Sequence, residues 1–399
     1  MNPSPLILSA EKHLPAALDL LRRLVAINSF TTNAEGVDAV ASLTAEAFAP
    51  LGFEAELVPC ATPGTGHHLF LSRSGDGAPV VLVTHSDTVF PPGEEAKNDF
   101  KWDERPDEGR IYGPGTIDNK GGTALIWLML QVLREVTPDF FEKTHWLIAS
   151  NAAEEITGDG FGRATDERCG GRARAVLVFE GGPVDDQGWH IVTSRKGRST
   201  WKLYAEGRAA HAGSKHHEGI NAIDALARVL PDIAAQTNEA ADRTVNIGHI
   251  RGGTVVNRVP HEASAEWECR ATSPDALRAA DDFFANLSGI SPSGASLTAT
   301  RTGHTTPWPG GTESEALYQL WEKAAAAMGL TTISVPRGGL SDANHLSHLG
   351  PTLDGLGPFG GNAHCSERSA DGSKLPEFVE PESLVAKAVM NALALMEIP

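Results

Sequence analysis

Long apolar runs are missing from this chain of 399 residues. No stretch reaches the roughly 18 consecutive apolar residues that mark a membrane helix. The first segment, MNPSPLILSAEKHLPAALDLLRRLVAI, lacks a basic start, and Pro3, Pro5, Glu11 and Pro15 interrupt it. It does not read as a signal peptide, so the expected compartment is the cytoplasm. Cysteine is scarce. Cys60, Cys169, Cys269 and Cys365 lie far apart without a CxxC pair, and they read as buried or incidental thiols. Basic residues are outnumbered, 33 against 51 acidic ones, for a net charge of −18. With no run of Lys and Arg to offset that charge, nucleic acid and anionic membrane are excluded as expected partners. Repeats and low-complexity segments are absent as well.

Apolar residues make up 41% of the chain and are spread along its length, so a packed core is expected. The length suits two domains. Apolar spacing predicts helices at 12–26 and 37–51. Strand-like runs follow at 54–59, 68–72 and 79–84, then a helix at 122–136 and buried strands at 145–151 and 172–180. Strands alternating with helices predict an α/β domain with a mainly parallel mixed sheet. The texture changes near residue 193. WHIVTSRKGRSTWKLYAEG alternates like two strands of one antiparallel sheet, and strand, helix, strand, strand, helix, strand predicts an α+β sandwich. Helices near 313–328 and 381–397 restore the first texture. The expected organisation is a discontinuous catalytic domain, 1–193 and 305–399, with residues 194–304 inserted as a lid or dimerisation domain.

Five short segments each place metal-type ligands where a strand should end or a glycine-rich loop begins. They are His85 and Asp87 in THSDTV, Asp118 in YGPGTIDNKGG, Glu154 and Glu155 in NAAEEITG, Glu180 in VFEGG, and His364 in GGNAHCSE. Ligands bind α/β sheets at the C-terminal ends of strands. His85, Asp118, Glu155, Glu180 and His364 amount to a ligand set for two zinc ions sharing one carboxylate. Each motif has a plainer reading. Asp118 or Asn119 could cap a helix, the Glu pair could be an acidic first turn, and a lone loop His is commonly a surface residue. Their joint occurrence in this order carries the weight.

The series of motifs resembles the co-catalytic zinc hydrolase family of aminoacylase, acetylornithine deacetylase and glutamate carboxypeptidase, with the glutamate carboxypeptidase branch nearest. The resemblance runs from about residue 14 to 397. It implies that His85 and Glu180 hold one zinc, Glu155 and His364 the other, and that Asp118 bridges them. Glu154 would be the general base, Asp87 would steer His85, and a cis peptide bond would follow Asp118. Ala153 stands where the family often has an acid, and Glu367 only approximately fills the acidic place after the late His. In the inserted domain the resemblance gives His211 as an oxyanion donor and Asn257 and Arg270 as substrate contacts; outside it, Gly338 and Gly339 form a backbone loop at the site with Arg337 beside it.

The implied activity is hydrolysis of an amide that links an acyl or aminoacyl group to an amino acid with a free carboxylate. Two zinc ions are the expected cofactors, with cobalt or manganese as substitutes. A small molecule or short peptide is the expected substrate, and a homodimer through the inserted domain the expected assembly. Two other readings stay open: a dipeptidase or aminopeptidase of the same architecture, and a non-catalytic metal-stabilised interaction protein.

Overall fold

In a computed structural model, residues 2–156, 158 and 160–399 are described. They form two compact units. The first comprises residues 1–193, 310–336 and 341–399; the second comprises 194–309 and 337–340.

The first unit is built on a six-stranded sheet. Its spatial order is Glu54–Pro59, His67–Arg73, Thr144–Asn151, Asp76–His85, Ala175–Val178 and Thr352–Leu353. The first two pairings are antiparallel. The next three pairings are parallel, and they set the chemistry. His85 lies opposite Asn151, and Val83 opposite both Ala149 and Val178. Three parallel strands therefore end at one edge of the sheet. The apolar runs that read as doubly covered strands are just that: Val80 to Val83 and Ala175 to Val178 are all buried. Helices Ser4–Val25, Lys120–Val136, Thr312–Ala327 and Glu382–Leu395 contribute to the same core as the sheet.

The first helix starts eight residues before its expected position and continues through Pro15. Pro5 falls in the first turn, where a missing N–H costs nothing. Pro15 and Glu11, whose carbonyl loses its donor, are both exposed, so water can satisfy that carbonyl.

The second unit is an antiparallel five-stranded sheet in the order Arg243–Gly252, Glu262–Ala271, Gly197–Glu206, Ser296–Thr305, Gly289–Ile290. Helices Ala222–Ala234 and Pro274–Ala285 cover one face, enclosing a core that includes Trp201, Trp267 and Phe284. Alternation is clean: along Glu262–Ala271 every second residue is buried. One expectation is corrected. The two strands in 189–207 do not share a sheet. Gly188–Arg195 pairs with Val184–Asp185 in a three-stranded sheet that also holds Thr332–Arg337, whereas Gly197–Glu206 is central in the five-stranded one. Only Gly197–Glu206 alternates cleanly in burial, and the break between the two sheets falls at Lys196.

Candidate metal centre

Parallel pairing brings the strand ends together. His85 closes Asp76–His85, Glu154 and Glu155 follow Thr144–Asn151, and Glu180 follows Ala175–Val178. Asp118 arrives on the turn before helix Lys120–Val136, and His364 on the loop after Gly360–Gly361 with a positive φ of 66°. The peptide bond between Asp118 and Asn119 is cis.

Asp118 stands at the centre. Its Oδ1 lies 2.9 Å from His85 Nε2 and its Oδ2 3.2 Å from His364 Nε2. His85 Nε2 is also 3.6 Å from Glu180 Oε1, and His364 Nε2 is 3.3 Å from Glu155 Oε2. Each oxygen of one carboxylate thus faces a different imidazole, and each imidazole faces a second carboxylate. One ligand atom each from His85, Asp118 and Glu155 lie within 4.8 Å of one another.

The set fits divalent cations. Around a tetrahedral ion with bonds of about 2.0 Å, neighbouring donor atoms stand about 3.3 Å apart, and the four separations bracket that value. His85 Nδ1 is 3.0 Å from the Asp87 carbonyl, which calls for the proton on Nδ1 and frees Nε2 as a donor to metal. Glu155 Oε1 is buried without a hydrogen-bond partner. Charge points the same way. Asp87, Asp118, Glu154, Glu155 and Glu180 cannot be balanced by two imidazoles, and the nearby Lys120 turns its Nζ to the Ile27 carbonyl at 2.8 Å.

Titration reflects this crowding. Burial opposes charge on Asp118, but hydrogen bonds from His364 and His85 hold its carboxyl well below the usual range. Burial likewise opposes the His85 imidazolium, yet Asp118, Asp87 and Glu180 push its pKa up. His364 rises to about 10 through Asp118 and Glu155. Glu154 is raised well above a normal carboxyl, first by burial and then by Glu180, Asp342 and Glu155. A carboxyl in that setting can hold and release a proton.

Asp87 is fully buried and organises the pair that follows the strand. Its Oδ1 accepts the Glu154 N–H at 3.1 Å and its Oδ2 the Glu155 N–H at 3.4 Å. Thr31 Oγ1 donates to Oδ2 at 2.7 Å, and Asp87 Oδ1 stands 3.3 Å from His85 Nδ1. The capping alternative for Asn119 fails, because its side chain makes no cap bond and its Oδ1 instead accepts from Thr84 Oγ1 at 3.1 Å.

Two buried acids escaped the sequence reading. Glu377 Oε1 accepts the N–H groups of Ile117 and Asp118 at 2.9 and 3.1 Å, and burial, then Asp118 and Glu155, raise its pKa to about 8. Glu367, by contrast, pairs at the surface with Lys374. Asp342 accepts from Asn151 Nδ2 at 2.8 Å, and burial raises it to about 7. The available signals were EFVEP after a polar loop and SDANH, neither of which resembles a ligand motif.

The remaining predicted residues lie in the second unit. His211 is exposed, and its Nδ1 accepts the N–H groups of Gly213 and Ser214, both at 3.1 Å. That leaves Nε2 as the protonated nitrogen. The Asn257 carbonyl accepts the Ala212 N–H at 3.0 Å, which sets the two motifs side by side. Arg270 differs from expectation. Its Nε and Nη2 face Glu268 at 2.9 and 3.2 Å, and its Nη1 donates to the Gly338 carbonyl at 3.0 Å. The fork expected for a substrate carboxylate is filled by one from its own strand. Arg337 and Gly339 lie in the same short 337–340 segment as Gly338.

Residues 193–288 match the peptidase dimerisation domain family. Over 268 residues the chain is 30% identical to an acetylornithine deacetylase of Pectobacterium carotovorum, covering 62% of this chain and 65% of that one. The match thus spans less than two thirds of that relative. Among solved structures, aminopeptidase PepT of Bacillus cereus superposes with a TM-score of 0.76 at 21% identity, covering 96% of this chain and 98% of that one. An M20 family metallo-carboxypeptidase of Sulfolobus solfataricus superposes with a TM-score of 0.67 at 14% identity, covering 96% and 98%. In sequence the chain is thus similar to an acetylornithine deacetylase over part of its length, it carries a match to the peptidase dimerisation domain, and it shares its fold with peptidases of known structure.

Proposed function

We propose that the chain is a metal-dependent amide hydrolase that releases an amino acid with a free carboxylate from an N-acyl or short peptidyl substrate. The observation that carries this reading is Asp118, whose two oxygens face His85 and His364 separately. That is the geometry of a carboxylate shared by two cations. His85 and Glu180 would hold one ion, His364 and Glu155 the other. Zinc suits the nitrogen and oxygen donors, and cobalt or manganese would fit the same set. When bound, the ions supply Lewis acidity and a water of lowered pKa.

The protein's own groups do the rest. Glu154 takes the proton of the attacking water and returns it to the leaving amine. Asp87 fixes the backbone of Glu154 and the tautomer of His85. His211, with Nε2–H free to donate, suits a developing oxyanion. Arg270 is the proposed partner of the substrate carboxylate, with Glu268 holding the guanidinium in place until substrate exchanges for it. The domain matched at 193–288 supports a homodimer.

The test is a panel of N-acyl amino acids, dipeptides and the same N-acyl compounds with the carboxylate capped as an amide, assayed on metal-loaded protein. The reading expects turnover of free acids and a large loss on capping. Equal turnover of capped and free substrates would contradict the carboxylate requirement, and hydrolysis of dipeptides alone would favour a dipeptidase.

A further inference from the structure

Outside the metal centre, one thiol has a built environment. Cys60 follows strand Glu54–Pro59, and His68 lies on the antiparallel neighbour, opposite Val58. Residues two apart on a strand share a face, so Cys60 and His68 are diagonal neighbours on the same side of the hairpin. Cys60 is partly exposed, whereas His68 is 1% exposed.

The state of His68 follows from its other contact. Its Nδ1 accepts the Ala152 N–H at 3.1 Å, so a neutral ring carries its proton on Nε2. That buried Nε2 has no hydrogen-bond partner of ordinary geometry. The ring leans on Phe161, with centroids 5.3 Å apart. A buried donor without an oxygen or nitrogen acceptor favours an anion beside it, and the Cys60 thiolate supplies one. Thr62 and Thr65 also stand within hydrogen-bonding reach of the sulfur, and His68 interacts electrostatically with Asp342. Burial works against the thiolate, but the neighbouring His68, Thr65 and Thr62 outweigh it and bring the thiol down to about 7.

Two contacts connect this corner to the catalytic loop. His68 holds the N–H of Ala152, two residues before Glu154. Ala61, next to Cys60, stands where a side chain on Gly160 would touch it, 3.6 Å from the position of an added Cβ, and Gly160 lies just beyond Glu154–Ile156. A group attached to Cys60 would press on the same segment from both sides.

We propose that Cys60 is a modification site for low-molecular-weight disulfides, and that a mixed disulfide there slows the enzyme by displacing His68 from Ala152. The chemistry balances without a further oxidant. The Cys60 thiolate attacks one sulfur of the disulfide, the S–S bond breaks, the mixed disulfide forms, and the second half leaves as a thiolate. The link to turnover rests on the hydrolase reading above, whereas the thiol chemistry stands without it.

The experiment uses the full chain and the aromatic disulfide 5,5′-dithiobis(2-nitrobenzoate), whose leaving thiolate is coloured. Wild type is expected to show one fast-reacting thiol, located at Cys60 by peptide mapping and absent in Cys60→Ser. Its rate should rise through a midpoint near pH 7. Modified wild type should lose most of its turnover and recover it with a reducing thiol, and Cys60→Ser should keep basal turnover and resist the reagent. A fast thiol that survives in Cys60→Ser, or a Cys60 that reacts no faster than Cys365, would overturn the site. Full turnover after stoichiometric modification of Cys60 would overturn the coupling. The thiol count reads the site even if no substrate is turned over.

Discussion

At the residue scale the account turns on one carboxylate kept out of the ligand set. Glu154 donates its N–H to Asp87 and sits among other acids, so its carboxyl is raised and available for proton transfer. Glu154→Gln keeps the shape and removes the base. Turnover should fall by about 10²–10⁴, while metal analysis should still find wild-type metal content. Loss of metal together with activity would instead make Glu154 a ligand. The convergence of His85, Asp118, Glu155, Glu180 and His364 could be anticipated because a His or carboxylate closing a buried apolar run is costly without a partner. Glu377 was not legible, because its position is set by a backbone contact with Ile117 and Asp118 across a loop of polar residues.

At the element scale the site depends on how closely a helix start approaches a strand end. A Cβ on Gly122 would lie 2.0 Å from Asn119 Oδ1 and 2.4 Å from the Phe179 carbonyl. Those atoms sit beside Asp118 and Glu180, so Gly122→Ala should push two proposed ligands apart. A drop of several kcal/mol in unfolding free energy and weaker metal binding are expected, read by urea denaturation and metal titration. Unchanged values would mean that the helix shifts freely.

The last helix offers a pH test. Lys387 is fully buried, its Nζ donates to the Gly355 carbonyl at 2.9 Å, and burial lowers its pKa from 10.5 to about 7. Between those two values the unfolded chain binds a proton that the folded one does not, so stability from this group rises with pH across that window. Lys387→Met removes the linkage. Its stability relative to wild type should be highest near pH 7, by an amount on the order of a few kcal/mol over its value near pH 10. A pH-independent difference in denaturation midpoints would contradict the assignment. Elements with strong periodicity were readable to within a few residues. The early start of the first helix was masked by prolines whose lost donors fall in its first turn or on its exposed side.

At the scale of the whole molecule, the insertion was legible as a switch from doubly buried strands to alternating ones. The switch of sheets at Lys196 was not, since the two flanking strands are separated by a single residue with no turn signal beyond Gly197. The second unit also exposes apolar residues: Ile250 is 60%, Val255 57% and Val256 103% exposed. Such residues fit a surface that another copy covers. The full chain should therefore sediment at twice its monomer mass, and Val256→Asp should shift it toward the monomer. A wild-type chain that stays monomeric at micromolar concentration would contradict the dimer. No helix among the described residues is long and apolar enough to cross a membrane.

The most direct measurement is anomalous diffraction at the zinc edge from crystals of the zinc-loaded protein. Two peaks about 3.5–4 Å apart are predicted, flanking Asp118, one beside His85 and Glu180 and the other beside His364 and Glu155. A single peak, or a pair with Asp118 bound to neither or to one alone, would contradict a shared carboxylate at the heart of the site.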